Sequence, residues 1–456
     1  MKTRSIAPDQ VIPTLERRIL VDGYHVVLDL DRSHGCRMID ARDGREYLDC
    51  FSFFASSPLG LNHADMLEPE FLARLGRVAV NKVSNSDFYS QVYAEFVDTV
   101  DRVARPEPFE RMFFVEGGAL AVENALKTAF DWKVRKNFAA GETAERGHQV
   151  LHLEWAFHGR SGYTMSLTNT ADPRKTQYFP KFDWPRIPSP AIRFPVDASE
   201  AARLDEAEGA ALDLARTELE RRQGDVAAII AEPIQGEGGD RHFRPSFLRG
   251  LRTLADRYDA LLIFDEVQTG VGMTGKFWAF EHFDVVPDVL VFAKKMQVGG
   301  ILVGPRIDDV PQNVFRMPSR INSTWGAHIV DMLRATRMLE VIERDRLVEH
   351  AESMGRHLIA GLDRLAARYA GLLSGVRGRG LMCAVDLPST EFRDRTVAAC
   401  MRNGLIVLPC GTMSIRFRPA LTIDENDLDE ALDRLGRTLG ELDRELSVTA
   451  PSTSEI

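Results

Sequence analysis

The sequence predicts an α/β fold in which a large domain holds a mostly parallel sheet and a smaller α/β domain lies beside it. Short apolar runs alternate with helical patterns in the middle of the chain, which is typical of a parallel sheet covered on both faces. After Thr324 the pattern changes to long charged helices, a few strands and a final helix. We therefore predict a large domain at 66–325 and a small domain at 326–456. The N-terminal segment 1–65 is expected to join the small domain, because chain termini often meet in space.

The individual elements can be assigned in chain order. The strands predicted for the large sheet are RMFFV, HQVLHLE, DVAAIIAEPI, ALLIFDEV and DVLVFAK. The helices predicted between and after them are ALAVENALKTAFDWKVRK, RPSFLRGLRTLADRYDA, the charged stretch ATRMLEVIERDRLVEHAESMGRHLIAGLDRLAARY and the final ENDLDEALDRLGRTLGEL. The polar ending SVTAPSTSEI predicts a disordered tail.

Composition and charge exclude several classes of protein. The chain has 456 residues, of which 44% are hydrophobic and 27% charged, and this is ordinary for a globular protein. Its net charge of −10 argues against nucleic acid or an anionic membrane as a partner. The five cysteines lack C-x-x-C spacing, which favours reduced thiols over disulfides or a zinc site. Because no run has the length of a signal-peptide core or a membrane span, we expect a soluble cytoplasmic protein.

Glycine and charged residues follow the carboxyl ends of four predicted strands. They are Glu116-Gly117-Gly118, Glu232, Asp265-Glu266 and Lys294-Lys295. Ligands of open α/β sheets bind at this edge, so the conjunction predicts one site there. Each feature alone has a simpler interpretation: a tight turn, a carboxylate that caps a turn, or a lysine that reaches solvent.

These residue types match the parts of pyridoxal phosphate. Glycines that precede a helix can hold a phosphate, and a buried carboxylate at Asp265 needs a cationic partner such as a protonated ring nitrogen. A desolvated lysine has a lowered pKa and can form a Schiff base with an aldehyde. Together they predict pyridoxal phosphate as the cofactor. The residues alone leave open whether Lys294 or Lys295 reacts.

A P-loop ATPase is the rival interpretation and remains a remote alternative. The run GVGMTGK at 270–276 nearly matches G-x-x-x-x-G-K-[ST] and follows the acidic pair of ALLIFDEV. However, Phe277 replaces the hydroxyl residue that should hold magnesium. A phosphate loop should also connect its own strand to a long helix, which these glycines do not.

Two long motifs resemble those of a known enzyme family. The run DEVQTGVGMTGKFWAFEHFDVVPDVLVFAK and the shorter AEPIQGEGG are similar to fingerprints of the class III, fold-type I aminotransferases, which use pyridoxal phosphate. The blocks FFVEGGALAVENALK, AFHGRSGYTMSLTNT, FPKFDWPRI and RINSTWG resemble the lysine 6-transaminase subfamily, and the resemblance extends from about residue 19 to 446. It implies transfer of the ε-amino group of L-lysine to 2-oxoglutarate, giving 2-aminoadipate 6-semialdehyde and L-glutamate. Ornithine, 4-aminobutyrate and diaminobutyrate are alternative donors.

The resemblance also implies which residues hold the cofactor. The family's cofactor-bearing lysine lies 29 positions after its aspartate, which selects Lys294 relative to Asp265 and gives Lys295 a structural role. Asp265 would keep the pyridine nitrogen protonated. The other implied contacts are phosphate N–H groups at Gly118 and Ala119, ring stacking by Phe157, and a hydrogen bond from Gln268 to the phenolic oxygen.

The remaining implied residues concern the substrates and the assembly. Thr324 would reach the phosphate of a neighbouring subunit, which implies a homodimer with shared active sites. Asn322, in the same loop, is assigned to substrate binding. Arg160 would hold the distal carboxylate of either substrate. Glu237 would pair with Arg416 while lysine reacts and would then move aside, so that Arg416 binds the α-carboxylate of 2-oxoglutarate.

Overall fold

The structure is a computed structural model that describes residues 5–449. Its largest sheet has seven strands, and two smaller sheets and a two-stranded ribbon accompany it. The strands of the described range are β1 (Arg37–Ile39), β2 (Glu46–Asp49), β3 (Arg111–Val115), β4 (Gln149–Leu153), β5 (Arg186–Ile187), β6 (Val226–Ala231), β7 (Ile234–Gln235), β8 (Arg241–His242), β9 (Leu261–Asp265), β10 (Val289–Phe292), β11 (Gly299–Val303), β12 (Ser374–Arg379), β13 (Met382–Asp386), β14 (Leu405–Ile406), β15 (Leu408–Cys410) and β16 (Ser414–Phe417).

The seven-stranded sheet has the order β3-β11-β10-β9-β6-β4-β5. The pairs from β10 through β5 are parallel, whereas β11 runs antiparallel to both β10 and β3. The sheet is therefore mostly parallel, and the predicted α/β fold class is confirmed. All five apolar runs that predicted strands contain strands of this sheet.

Helices cover the sheet and form much of the C-terminal third. The α-helices of the described range are α1 (Val11–Glu16), α2 (Ser52–Ala55), α3 (Pro69–Ala79), α4 (Gln91–Thr99), α5 (Gly118–Ala139), α6 (Thr164–Leu167), α7 (Ala198–Arg221), α8 (Pro245–Arg257), α9 (Ile329–Arg344), α10 (Leu347–Arg368), α11 (Thr390–Arg402) and α12 (Glu425–Thr449). The predicted helices are confirmed. Because α12 continues to Thr449, the predicted disordered tail is wrong for residues 447–449, and its remainder lies outside the described residues.

Alternate residues of the central strands enter two apolar layers. Ile229 and Leu262 belong to one buried cluster, whereas their neighbours Ile230 and Ile263 belong to the other. Successive side chains of a strand point to opposite faces, so both faces of the sheet are buried. This explains why the strands are almost entirely apolar and why charged residues begin where the strands end.

The N-terminal segment pairs with the C-terminal part of the chain. Strand β2 lies between β1 and β14, and Leu48 is in parallel register with Leu405. Strands β12, β13, β16 and β15 form a separate antiparallel sheet in that order. This pairing supports assigning residues 1–65 to the small domain, and the boundaries near 65 and 325 stay a prediction.

The glycine-rich run at 270–276 does not form a phosphate loop. It is followed by a short 3-10 helix, Ala279–His282, rather than by a long α-helix. A Cβ added to Gly275 would lie 2.9 Å from the Cβ of Glu352, and one on Gly272 would lie 3.3 Å from Val348, both in α10. Helix α10 thus fills the space that a nucleotide would need, and the ATPase alternative is wrong.

The helices of residues 5–449 were also compared with the requirements of a membrane span. None of them combines the necessary length with sufficient apolar character.

Candidate active site

Eight of the eleven predicted site residues line one cavity of about 270 Å³. They are Gly118, Ala119, Phe157, Arg160, Glu237, Asp265, Gln268 and Lys294. The cavity lies at the carboxyl ends of β3, β6, β9 and β10, as expected for an open α/β sheet. Larger surface grooves of about 710 and 850 Å³ are lined by charged helix residues and contain none of the predicted site residues.

Lys294 begins a short 3-10 turn directly after β10, and its side chain lines the cavity. Its backbone is left-handed, with φ of 50°, which directs it away from the course of the strand. Burial and, to a smaller extent, the nearby Arg416 guanidinium lower the pKa of its amine to about 8 against the opposing effect of Asp265. A neutral, nucleophilic amine is therefore accessible near physiological pH.

Lys295 points to a different environment from its neighbour. Its side chain is buried, and its Nζ donates hydrogen bonds to the backbone carbonyls of Gln268 at 2.8 Å and Ala55 at 3.4 Å. It does not line the cavity. Lys295 therefore supports the segment around Gln268, which agrees with the structural role expected for it.

The carboxylate of Asp265 is fixed by two donors at the end of β9. Its Oδ2 lies 2.8 Å from Nδ1 of His158, and its Oδ1 accepts a hydrogen bond from the backbone N–H of Val267 at 3.0 Å. The side chain of His158 is fully buried. No role for His158 was predicted from the sequence, although it follows Phe157 directly and a buried imidazole needs a polar partner.

Glu232 connects two loops that border the cavity. Its carboxylate accepts hydrogen bonds from the backbone N–H groups of Phe157 at 2.9 Å and Gly236 at 3.1 Å. Burial raises the pKa of Glu232 to about 7. The sequence also allowed a simpler interpretation, in which Glu232 only caps the turn after its strand. The bond to Gly236 agrees with this interpretation. The same side chain also fixes the segment that carries Phe157.

The chain offers a fitting environment for each part of pyridoxal phosphate. Gly118 and Ala119 start α5, where free backbone N–H groups favour a phosphate. Among the described residues, the buried Oε1 of Gln268 has no hydrogen-bond partner, so it is free to accept one from a phenolic hydroxyl. With the low-pKa amine of Lys294 and the buried carboxylate of Asp265, these groups fit the phosphate, hydroxyl, aldehyde and ring nitrogen of the cofactor.

Glu237 forms ion pairs with two cations beside this cavity. Its Oε2 accepts a hydrogen bond from Nη2 of Arg416 at 2.5 Å, and its Oε1 accepts one from Nζ of Lys175. Burial raises the pKa of Glu237, but the charges of Arg416 and Lys175 lower it more, so that the net pKa is below its usual value. The predicted pair of Glu237 and Arg416 is therefore formed. Lys175 was missed because no motif marks it and only the fold brings it to Glu237.

Arg416 retains hydrogen-bonding capacity beyond the bond to Glu237. Its side chain is 1% exposed, and its Nε and Nη1 have no partner among residues 5–449. Buried donors of this kind favour a further acceptor. A carboxylate matches the planar fork of a guanidinium.

Two arginines fix the loop around Glu237, one in β12 and one directly after β16. Arg377 donates to the carbonyls of Gly239 at 2.7 Å and Asp240 at 2.9 Å, and Arg418 donates to Oδ1 of Asp240 at 2.5 Å. A Cβ on Gly238 would lie 2.2 Å from the carbonyl oxygen of Trp155. The loop at 236–240 therefore has little freedom, so Glu237 can move chiefly by rotation of its side chain.

Arg416, Thr324 and Asn322 do not line the cavity, and Arg160 lies at its border. Arg160 is exposed and lines both the cavity and an adjoining groove. Thr324 and Asn322 are exposed and do not line the cavity of their own chain. The carbonyl of Thr324 accepts a hydrogen bond from the hydroxyl of Ser84 at 2.5 Å. Because Thr324 is expected to act at a neighbouring subunit, its role stays a prediction, as does that of Asn322.

Comparison with known proteins gives extensive matches. The class-III aminotransferase family matches residues 20–439. The L-lysine-epsilon aminotransferase of Mycobacterium tuberculosis is 53% identical over 430 residues, which cover 94% of this chain and 95% of that protein. The enzyme of the same name from Streptomyces clavuligerus is 51% identical over 427 residues, 93% of each chain. Human mitochondrial 4-aminobutyrate aminotransferase is 31% identical over 433 residues, 89% of this chain and 83% of that protein.

The fold of this chain is also similar to that of a solved lysine aminotransferase. The lysine aminotransferase of M. tuberculosis in its internal aldimine form superposes with a TM-score of 0.93 at 52% identity, covering 96% of this chain and 100% of that one.

The lowered pKa of Lys294 leads to a pH prediction. We expect the rate at which pyridoxal phosphate attaches to the cofactor-free protein to rise with pH and level off above about 8, since the neutral amine is the nucleophile. Stopped-flow absorbance between about pH 6.5 and 10 measures this rate. The control is Nα-acetyl-lysine, whose amine has an ordinary pKa near 10.4. A protein rate that still climbs steeply above about pH 9 would contradict the prediction.

Proposed function

The chain belongs to the class-III aminotransferases, which depend on pyridoxal phosphate, and we propose that it transfers the ε-amino group of L-lysine to 2-oxoglutarate. The products are 2-aminoadipate 6-semialdehyde, which should close to a cyclic imine, and L-glutamate. The observation that carries this proposal is the bond between Glu237 and Arg416 beside the cavity that Lys294 lines. This bond gives Arg416 an anionic partner when the bound substrate has no carboxylate beside its reacting carbon.

The bound cofactor supplies an aldehyde that exchanges amino groups and a ring that withdraws electrons. In this proposal Nζ of Lys294 holds the cofactor and, once released, moves a proton to and from the reacting carbon of the substrate. The carboxylate of Asp265 holds a proton on the ring nitrogen. The 2.8 Å contact with His158 keeps that carboxylate in position. Gln268 would orient the cofactor ring through its phenolic oxygen, and Phe157 would pack against the ring.

The two substrates differ beside the reacting carbon. Lysine reacting through its ε-amino group has no carboxylate there, whereas 2-oxoglutarate has its α-carboxylate. Without a partner, buried Arg416 would face the aliphatic stem of lysine as an unpaired charge, at a cost of about 3–5 kcal/mol by analogy with broken buried pairs. Glu237 removes this cost while lysine reacts. When 2-oxoglutarate binds, its α-carboxylate takes the place of Glu237 on Arg416.

The opposite end of each substrate needs a second cation. Arg160 lies at the mouth of the cavity and is exposed, so it is available to a ligand. We assign to it the α-carboxylate of lysine and the γ-carboxylate of 2-oxoglutarate. Both substrates then share one anchor, and only the pairing of Arg416 changes between the two half-reactions.

The proposal extends to assembly and location. We infer a homodimer in which Thr324 reaches the phosphate of the partner's site and Asn322 contributes to substrate binding there. Both residues are exposed in the single chain, which leaves them free for such contacts. The five cysteines are unpaired and buried, which supports a reducing compartment such as the cytoplasm.

The donor is tested by a panel of amines with 2-oxoglutarate as the acceptor. We expect lysine to give the highest kcat/KM for glutamate formation, ahead of ornithine, 4-aminobutyrate and 2,4-diaminobutyrate. A shorter donor anchored at Arg160 cannot place its amine equally well, and a misplacement of about 1 Å can cost about a hundredfold in rate. A different donor with a higher kcat/KM than lysine would contradict the assignment of the substrate but not the assignment of the family.

The two adjacent lysines are distinguished by matched substitutions. Lys294→Ala should reduce turnover by more than about 10⁴-fold, because a general base typically contributes about 10²–10⁴-fold and the covalent attachment is lost as well. Lys295→Ala should retain much of the activity with a lower melting temperature, since it loses only hydrogen bonds to backbone carbonyls. An inactive Lys295→Ala enzyme beside an active Lys294→Ala enzyme would reverse the assignment.

Glu237→Gln tests the exchange at Arg416. We expect the lysine half-reaction to slow at least about tenfold, because an unpaired Arg416 attracts the carboxylate of lysine and misdirects the donor. The glutamate half-reaction should change by less than about threefold, since Glu237 leaves Arg416 in that step. Single-turnover absorbance of the cofactor follows both half-reactions. Equal losses in the two would contradict an exchange at Arg416.

A further inference from the structure

We propose that Lys175 is a positioning residue that keeps Glu237 paired after Glu237 releases Arg416. This inference rests on the proposed function, because it concerns the step in which an α-carboxylate takes the place of Glu237 on Arg416. Lys175 would thereby determine how well the enzyme accepts substrates with a carboxylate beside the reacting carbon.

The contacts of Glu237 divide between its two oxygens. Oε2 contacts Arg416 and Oε1 contacts Lys175. Arg416 belongs to β16, and Lys175 ends the 3-10 helix Pro173–Lys175. Because each oxygen has its own cation, one bond can break while the other persists.

The two cations differ in exposure, which gives the movement a direction. The side chain of Arg416 is 1% exposed, whereas that of Lys175 is 25% exposed and that of Glu237 is 20% exposed. Arg416 therefore has no room to follow Glu237. A carboxylate that leaves Arg416 moves toward Lys175, and the backbone bonds of Arg377 keep the loop itself in place.

Charge pairing explains why a second cation is needed. When an α-carboxylate binds Arg416, two anions lie close together, and a single guanidinium would have to neutralise both. With Lys175 present, the cluster contains two cations and two anions that pair one to one. Without Lys175, Glu237 would be largely removed from water, unpaired, and close to a like charge, which weakens substrate binding.

Lys175 also borders the predicted ring position of the cofactor. Its Nζ lies 5.8 Å from the ring centroid of Phe157. This contact does not distinguish the two substrates, because both react at the same cofactor. If a Lys175 variant loses affinity only for ligands that place a carboxylate at Arg416, the loss therefore arises from the contact with Glu237 and not from the contact with Phe157.

The test uses equilibrium binding of two unreactive acids of five carbons to the holoenzyme. Glutarate has a carboxylate at each end and needs both Arg160 and Arg416. Pentanoate has one carboxylate, which prefers the exposed Arg160 because Arg416 is already paired with Glu237. In Lys175→Met we expect glutarate to bind about tenfold more weakly by titration calorimetry, a loss between those of exposed and buried ion pairs. Pentanoate should change by less than about twofold.

Three further variants serve as controls. Lys175→Arg keeps the charge and should restore most of the glutarate affinity. Arg174→Met removes a neighbouring charge from the same 3-10 helix, where the side chain of Arg174 is 82% exposed and pairs with Asp172. It should have little effect on either ligand. Lys175→Gln provides a second neutral variant, and the melting temperature and cofactor absorbance verify the fold of each protein.

A double-mutant cycle identifies Glu237 as the group through which Lys175 acts. In a Glu237→Gln background, Lys175→Met should alter glutarate binding by less than about twofold, because no charge is left for Lys175 to neutralise. A tenfold loss that persists in that background would overturn the inference, since Lys175 would then contact the ligand itself. An equal loss for Arg174→Met would also overturn it, because general attraction of anions would explain the result.

The outcome is separable from the choice of amine donor. Glutarate and pentanoate are not substrates, so the cycle gives the same information whether or not lysine is the donor. Lysine could fail in the donor panel while the double-mutant cycle still gives the expected result. The role of Lys175 would then be supported, and a different amine would be the donor. If the wild-type holoenzyme prefers pentanoate to glutarate, the inference fails, because no α-carboxylate then reaches Arg416.

Discussion

The ion pair between Glu237 and Arg416 is the interaction on which the proposed chemistry depends. The side chain of Arg416 is almost completely buried, and a buried guanidinium without an anion is costly. Glu237 supplies that anion when the ligand does not. The bond joins the loop between β7 and β8 to strand β16, so it also links the two-stranded ribbon to the antiparallel sheet. In the proposed function, the substrate preference of the site therefore rests on a pair that also joins two parts of the fold.

The surrounding structure restricts what can move. Arg377 binds two backbone carbonyls of the loop, and Arg418 binds the side chain of Asp240. Gly238 allows the loop to approach the carbonyl of Trp155 closely. Side chains of the loop can rotate, but the loop itself is fixed. At the other side of the cavity, the bond from Lys295 to the carbonyl of Gln268 supports the segment opposite Lys294. In the proposed function, Lys294 is therefore the catalytic residue, and the adjacent Lys295 supports the structure around it.

Much of this arrangement could be predicted from the sequence, and the remainder depends on contacts between distant segments. The apolar runs revealed the sheet because burial on both faces requires continuous apolar residues. Their charged ends revealed Lys294 and Asp265, and the resemblance to a family selected Lys294 over Lys295. Neither His158 nor Lys175 could be assigned a partner, because their contacts join segments far apart in the chain. The role expected for Thr324 would require a second subunit, which a single chain does not contain.

When a carboxylate binds beside the reacting carbon, we expect Glu237 to release Arg416 and to remain paired with Lys175. Crystal structures of the holoenzyme with and without glutarate measure this most directly, through the distances from the carboxylate of Glu237 to the two cations. The account predicts that glutarate takes Arg416, that Glu237 stays within hydrogen-bonding distance of Lys175, and that the loop backbone does not shift. A complex in which glutarate is bound and Glu237 still contacts Arg416 would contradict it.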